Sequence, residues 1–350
     1  MLMVIFGAGA SYDSCPTYPP GMASPNEEAY RPPLAKDLFE NRTLFIQALE
    51  QFPQCKPIVP RLRDPEVRTG RVSIEQRLQE ISDESRGYAP ALRELAAVRC
   101  YLQLAIAECG NHWGSVTRGI TNQLSLLREI DRTVGDGQEV CLVTFNYDTI
   151  LEGALVKFGL RIERMEDYIE QPRFRLFKLH GSVTWAQQVN IHLPQNINPT
   201  SAHAVLHHLI EHSHEVQFSP NYLLCNCNHQ AVVRGCPVFP AIAVPVERKQ
   251  VFQCPQYMIE ALTALLPRVS KILIVGWRAT EQHFLKLLNR HLGPDTAMAI
   301  VAGTQAEVTE VKSRMTLALP DRTLRFILGA EGFSRFTLDR GLEQFLSHSD

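Results

Sequence analysis

An amide, a carboxylate and an imidazole stand out as groups able to hold a sugar hydroxyl or move a proton. They belong to Asn146 and Asp148, in Thr144-Phe145-Asn146-Tyr147-Asp148, and to His180, in Lys178-Leu179-His180-Gly181-Ser182. An imidazole titrates near neutral pH and can act as a general base. Near the start of the chain, Gly7-Ala8-Gly9-Ala10-Ser11 places two glycines one residue apart. Glycine lets the backbone turn tightly and leaves no Cβ between it and a ligand. A helix starting near Ser11 would turn free N–H groups toward an anionic group such as a pyrophosphate. A second turn, Val275-Gly276-Trp277-Arg278, also ends an apolar run. Each stretch alone has a plain structural reading. Asn146 or Asp148 can cap a helix beginning near Thr149, His180 can be a satisfied strand-end histidine, and Gly276 a structural turn.

Strands must position these groups. Met1 to Phe6 is an apolar run long enough for one buried strand. Similar runs are Glu139 to Phe145, Phe174 to Leu179, Val238 to Val244, Ile272 to Val275, Met298 to Val301 and Leu324 to Leu328, with Pro240 and Pro245 weakening the third of these. Helical patterns at Glu281 to His291 and Gln305 to Leu319 separate the last three. Short apolar strands alternating with helices predict an α/β fold, a Rossmann-like doubly wound parallel sheet covered on both faces. Such sheets bind ligands beyond the carboxyl ends of their strands, where all four stretches fall.

The predicted core is 1–33, 136–185 and 237–332. Residues 34–135 read as a large helical insertion, with Ile74, Leu78 and Ile81 among the apolar positions at helical spacing. Residues 186–236 form a smaller His/Cys-rich insertion, and 333–350 a C-terminal helix or tail. The proline-rich stretch Asp13 to Pro33 leaves directly from the glycine turn and is expected to be a lid.

Apolar residues make up 45% and charged ones 21% of the 350 residues, an ordinary globular balance. The formal net charge of -2 gives no bulk attraction to nucleic acid or membrane. No apolar run approaches the roughly 20 residues of a membrane span. The apolar start is short and carries no Lys or Arg, unlike a signal peptide, so a cytoplasmic location is expected. The nine cysteines are scattered and odd in number, which favours thiols over a disulfide frame. The third glycine of the dehydrogenase fingerprint is missing, which argues against hydride transfer.

Taken in order, these motifs resemble the sirtuin superfamily. That family shows a Gly-Ala-Gly-x-Ser turn, a Thr-Gln-Asn-Ile-Asp strand end, a His-Gly pair and a late Gly-Thr-Ser turn. The chain matches as Gly7 to Ser11, Thr144 to Asp148 and His180-Gly181, and loosely as Gly276-Trp277-Arg278. The wording Phe-Asn-Tyr-Asp and His-Gly-Ser-x-x-Trp looks more like the SIR2-like domains of bacterial anti-phage systems than like protein deacetylases. There are departures. The two Cys-x-x-Cys pairs of the deacylase zinc module are replaced by Cys225-x-Cys227-x-His229 and Cys236, with Cys254 as a further candidate. Four such ligands could hold zinc tetrahedrally, but metal-free thiols are the expectation. His203, His207, His208, His212 and His214 form no His-Glu-x-x-His and read as a polar face. The family's late Asn has no counterpart in Val301-Ala302-Gly303-Thr304, and its Arg after the glycine turn has only Arg31.

The resemblance implies NAD+ as substrate and cleavage of the bond between nicotinamide and ribose C1′. His180 would be the base, and Asn146 would hold a ribose hydroxyl or the attacking water. Asp148 would orient Asn146 or bind on the nicotinamide side. Gly7, Ala8, Gly9, Ala10 and Ser11 would hold the pyrophosphate, with Gly276 and Trp277 completing the cofactor site. Attack by water makes an NAD+ glycohydrolase, releasing nicotinamide and ADP-ribose, in an abortive-infection setting. Attack by an acyl-lysine makes a protein deacylase, and a third reading is a non-catalytic subunit that binds ADP-ribose or NAD. The missing zinc pattern and the large helical block favour water. The resemblance also implies restraint by a partner subunit, a HerA-type ATPase or nucleotide-sensing protein, or by homo-oligomerisation, without membrane or direct nucleic-acid contact.

Overall fold

A computed structural model describes residues 1–68, 72–84, 88–135, 137–225, 231–244 and 252–347. Their strands, in chain order, are β1 (Leu2–Phe6), β2 (Val140–Thr144), β3 (Phe174–Lys178), β4 (Gly181–Asn190), β5 (Gln217–Leu224), β6 (Val232–Val233), β7 (Cys236–Ile242), β8 (Lys271–Val275), β9 (Asp295–Ala302) and β10 (Thr323–Glu331). The chain divides into two compact units, Met1–Pro32 with Gly110–Leu179 and Gln256–Asp350, and Pro33–Cys109 with His180–Pro255.

The first unit is built on a six-stranded sheet of order β10-β9-β8-β1-β2-β3. All its neighbouring strands are parallel. β1 lies in the middle, with Leu2 opposite Val140 and Lys271, and Phe6 opposite Thr144 and Val275. Every side chain of β1 and β2 is buried, as a parallel strand covered on both faces requires. Burying each large apolar side chain there stabilises the fold by about 1.5–3 kcal/mol. From β1 the chain adds β2 and β3 on one side, then β8, β9 and β10 on the other. The order therefore reverses between β1 and β8, the switch point at which open α/β sheets bind ligands. This is the expected α/β, Rossmann-like doubly wound architecture. Helices follow β8 and β9 as predicted, at Gln282–His291 and Gln305–Ala318. Thr304 and Glu307 close a capping box at the start of the second.

The second unit combines helices with a four-stranded sheet of order β5-β4-β7-β6. Helix Ile74–Glu84 buries Ile74, Leu78 and Ile81, the stripe that its spacing predicts. Helix Ala89–Thr117 runs on from this unit into the first. The apolar run at Val238 to Val244 does form a strand, β7, but outside the parallel sheet. β7 pairs antiparallel with β4 and β6. β5 and the second half of β4 fall in the expected His/Cys-rich insertion, and the first half of β4 in the expected core, where no strand was predicted. β5 is an edge strand that carries Pro220, a position where proline's missing N–H costs no ladder bond.

Candidate active site

β1 ends at Gly7, whose N–H donates to Val275 O at 3.0 Å. Gly9 N–H donates to Gly276 O at 3.1 Å, and Ala10 N–H to Gly7 O at 2.9 Å. The two glycine turns thus interlock at the switch point. A Cβ on Gly7 would lie 2.5 Å from Gly276 O, and one on Gly9 2.8 Å from Gly276 Cα. Gly276 has φ +61°, and a Cβ there would strike the backbone of Gly9 and Ala10. Glycine at these positions permits contact of backbone with backbone. The N–H groups of Gly7, Gly9 and Ala10 are accordingly taken by protein carbonyls. Trp277 is buried by its side chain, which stacks on Phe145 at 5.3 Å and meets Phe284 edge-on at 5.5 Å.

Beside this turn, Asn146, Ser11 and Asp148 form one hydrogen-bonded chain. Ser11 Oγ donates to Asp148 Oδ2 at 2.6 Å. Asn146 Nδ2 donates to Ser11 Oγ at 2.8 Å and to Gly7 O at 2.9 Å. Gly7 O can only accept, so the carboxamide nitrogen must face it. The Ser11 hydrogen is committed to a carboxylate, so Ser11 Oγ is the acceptor from Asn146. Both Asn146 N–H bonds are thereby used, and its oxygen is the atom left to accept from other groups. Asp148 Oδ1 also accepts from Ile150 N–H at 3.0 Å. It therefore does the capping job and holds Ser11 as well. Thr144 Oγ1 accepts from Asn146 N–H at 3.1 Å, which fixes the start of the loop.

Two buried charges complete the cluster. Lys178 Nζ lies 2.8 Å from Glu152 Oε1 and donates to the main-chain oxygen of Asp148 at 2.5 Å. Burial pushes the Glu152 carboxyl above its usual range, and the Lys178 ammonium opposes that shift. Gln123 Nε2 donates to Ala10 O at 2.9 Å. Gln123, Glu152 and Lys178 line a narrow recess with Ser11, Asn146 and Asp148. The sequence reading missed these three. Lys178 stands as a charge inside an apolar run, Phe177-Lys178-Leu179, a signal that gains meaning only once its buried partner on another element is known.

His180 follows directly on Leu179, whose N–H donates to Thr144 O at 3.1 Å. It opens the second of the two stretches that form the second unit, is 5% exposed, and accepts Ala243 N–H on its carbonyl at 2.9 Å. Gly181 has φ +81°, and a Cβ there would strike Ala241 O. The structure thus brings Gly7, Ser11, Asn146, Asp148 and Gly276 into one unit, while His180 belongs to the other.

Arg31 is fully buried and bonded to the carbonyls of Tyr12 and Tyr18 and to Glu28. Its guanidinium sits 4.6 Å from the Trp113 ring centre. It pins the proline-rich loop. Cys225 is disulfide-bonded, a departure from the expected all-thiol state, while Cys236 and Cys254 are free. Cys227 and His229 lie outside the described residues. Among the described residues no three His, Cys, Asp or Glu side chains group as metal ligands. The His203 and His207 rings lie 4.3 Å apart, tilted by 49°, on helix Ala202–Glu211, which buries Val205, Leu206, Leu209 and Ile210. No described helix is long and apolar enough to cross a membrane.

No curated protein matches the chain. One solved structure, described as concerning the mechanism and regulation of Sir2 enzymes, is similar over 99% of this chain and 92% of its own, at 13% identity and a TM-score of 0.39. Residues 140–215, a stretch that includes Asn146, Asp148 and His180, match the family described as the SIR2-like domain.

Proposed function

We propose that the chain is an NAD+ glycohydrolase that releases nicotinamide and ADP-ribose, acting as the effector of an anti-phage defence system. The observation that carries this reading is the locked Asn146 carboxamide beside the two glycine turns at the sheet's switch point. A carboxamide oxygen held there suits a ribose hydroxyl or a water, and the SIR2-like match covers the same loop. In the proposal, the turns at Gly7 to Ser11 and Gly276-Trp277 border the diphosphate. With three of the first turn's N–H groups already bonded, its role is close backbone approach more than anion capture.

As the C1′ to nitrogen bond stretches, positive charge builds on the ribose, and the Asn146 oxygen lies on the favourable side of it. Asp148 acts through Ser11 by fixing which end of the amide is presented. His180 takes the proton from the attacking water, a role that typically contributes about 10²–10⁴-fold. Water is taken as the attacking group because Cys225-x-Cys227-x-His229 and Cys236 depart from the two Cys-x-x-Cys pairs of the deacylase zinc module. A cytosolic NAD+ hydrolase must be restrained, so the proposal includes control by a partner subunit or by self-assembly. Purified chain that hydrolyses NAD+ at full rate without any partner or effector would remove that part alone.

The test is product analysis on the full chain, with any neighbour-encoded partner present. Nicotinamide and ADP-ribose should appear, and His180→Ala and Asn146→Ala should each lower the rate at least about a hundredfold. Unchanged rates in either variant would overturn the assignment of that residue.

A further inference from the structure

Lys178 is fully buried and Glu152 is 7% exposed, yet both are ionisable side chains. Apolar residues of the same shape would stabilise the fold as well as such a pair does, or better. Stability alone therefore gives no reason for it. What the pair touches is the loop that carries Asn146. Lys178 links Glu152 on helix Ile150–Leu155 to the main-chain oxygen of Asp148, from the last position of β3. Glu152 Oε2 and Gln123 Oε1 are buried without a partner, and both residues line the same recess. The floor is thus a polar cradle, unlike the packed apolar core around it.

We propose that Lys178 and Glu152 are positioning residues, which fix Asp148 and, through Ser11, set the orientation of the Asn146 carboxamide. The sense of each hydrogen bond enforces this. An ammonium only donates, a carboxylate only accepts, and a hydroxyl has one hydrogen to give. With Asp148 in place, Ser11 must point its hydrogen at Asp148 and its lone pair at Asn146. If Asp148 drifts, the Ser11 hydroxyl can rotate, and one Asn146 N–H loses its acceptor, which leaves the amide held by Gly7 O alone and free to swing. The catalytic part of this inference rests on the reading of Asn146 as a substrate contact; the positioning part does not.

Two variants test it, Glu152→Gln and the doubly neutral Lys178→Met with Glu152→Leu. The first readout is hydrogen exchange of the Asn146 side-chain N–H pair, in protein carrying ¹⁵N-labelled asparagine, assigned by its absence in Asn146→Ala. Exchange should accelerate about tenfold or more in both variants, while β1 backbone amides exchange as in wild type. The second readout is NAD+ cleavage. It should show kcat falling by up to about 10²-fold, the scale of a 1 Å misplacement, with KM changing far less. Folded variants with wild-type exchange at Asn146 would overturn the proposal. If the double variant fails to fold, Glu152→Gln, which keeps the shape, decides alone. Faster exchange in a protein that never cleaves NAD+ would uphold the positioning role and reject the hydrolase reading.

Discussion

Ser11 has one hydrogen, and Asp148 takes it at 2.6 Å. Ser11→Ala removes that link while leaving Asn146 its bond to Gly7 O. We expect kcat to fall about tenfold in NAD+ cleavage, with thermal stability little changed, since a single small hydroxyl is lost. Asn146→Asp should be more damaging than its size suggests. It would set a carboxylate against Gly7 O and near Asp148, both acceptors, so activity should fall at least as far as in Asn146→Ala. Steady-state rates of the three variants side by side check this order. These residues are legible from sequence only through the order of the glycine turn, Thr144 to Asp148 and His180-Gly181, since each alone reads equally well as a helix cap or turn. Lys178 and Glu152 are not legible in that way. A single charge inside an apolar run looks like a solvated edge until its partner, on a separate element, is known. Only the folded chain shows that Lys178 points inward.

At the scale of elements, the interlocked glycine turns make a sharp prediction. Gly276→Ala forces a Cβ into the backbone of Gly9 and Ala10 and holds a non-glycine residue at φ +61°. The left-handed conformation alone costs about 1–3 kcal/mol, so the melting temperature should drop by several degrees. An unchanged melting curve would mean that the turns do not pack as described. Arg31→Met should loosen the loop from Asp13 to Pro33. It keeps much of the bulk beside Trp113 but strands the carbonyls of Tyr12 and Tyr18. Limited proteolysis should then cut within 13–24 faster than in wild type. In the second unit, burial, followed by the charge of Glu40, raises the Asp37 carboxyl from 3.8 to about 6. The folded value lies above the unfolded one, so this group's contribution is full below about pH 4 and is lost as pH rises through 6. Asp37→Asn should therefore melt higher than wild type at pH 7–8 and with it at pH 4. The inner strands of the parallel sheet, β1, β2, β8 and β9, are readable in advance because largely buried strands leave unbroken apolar runs. β4 and β5 are not, because β4 mixes Ser182, Thr184, Gln187 and Gln188 into its run and the largely exposed β5 carries polar residues and a proline.

At the scale of the molecule, each unit is assembled from separate stretches of chain, with crossings near 33, 110, 180 and 256. Neither can be expressed as one contiguous fragment, so every assay belongs to the whole chain. His180 opens one such stretch, next to the last residue of another. The central proposal is that water opens the nicotinamide bond of NAD+. The direct measurement is the stoichiometry of products from NAD+ incubated with the full chain and any neighbour-encoded partner, with and without an acetyl-lysine peptide. The account predicts one nicotinamide and one ADP-ribose per NAD+ consumed, at a rate the peptide does not change. Cleavage that requires the peptide and yields O-acetyl-ADP-ribose, or NAD+ that stays intact, would contradict it.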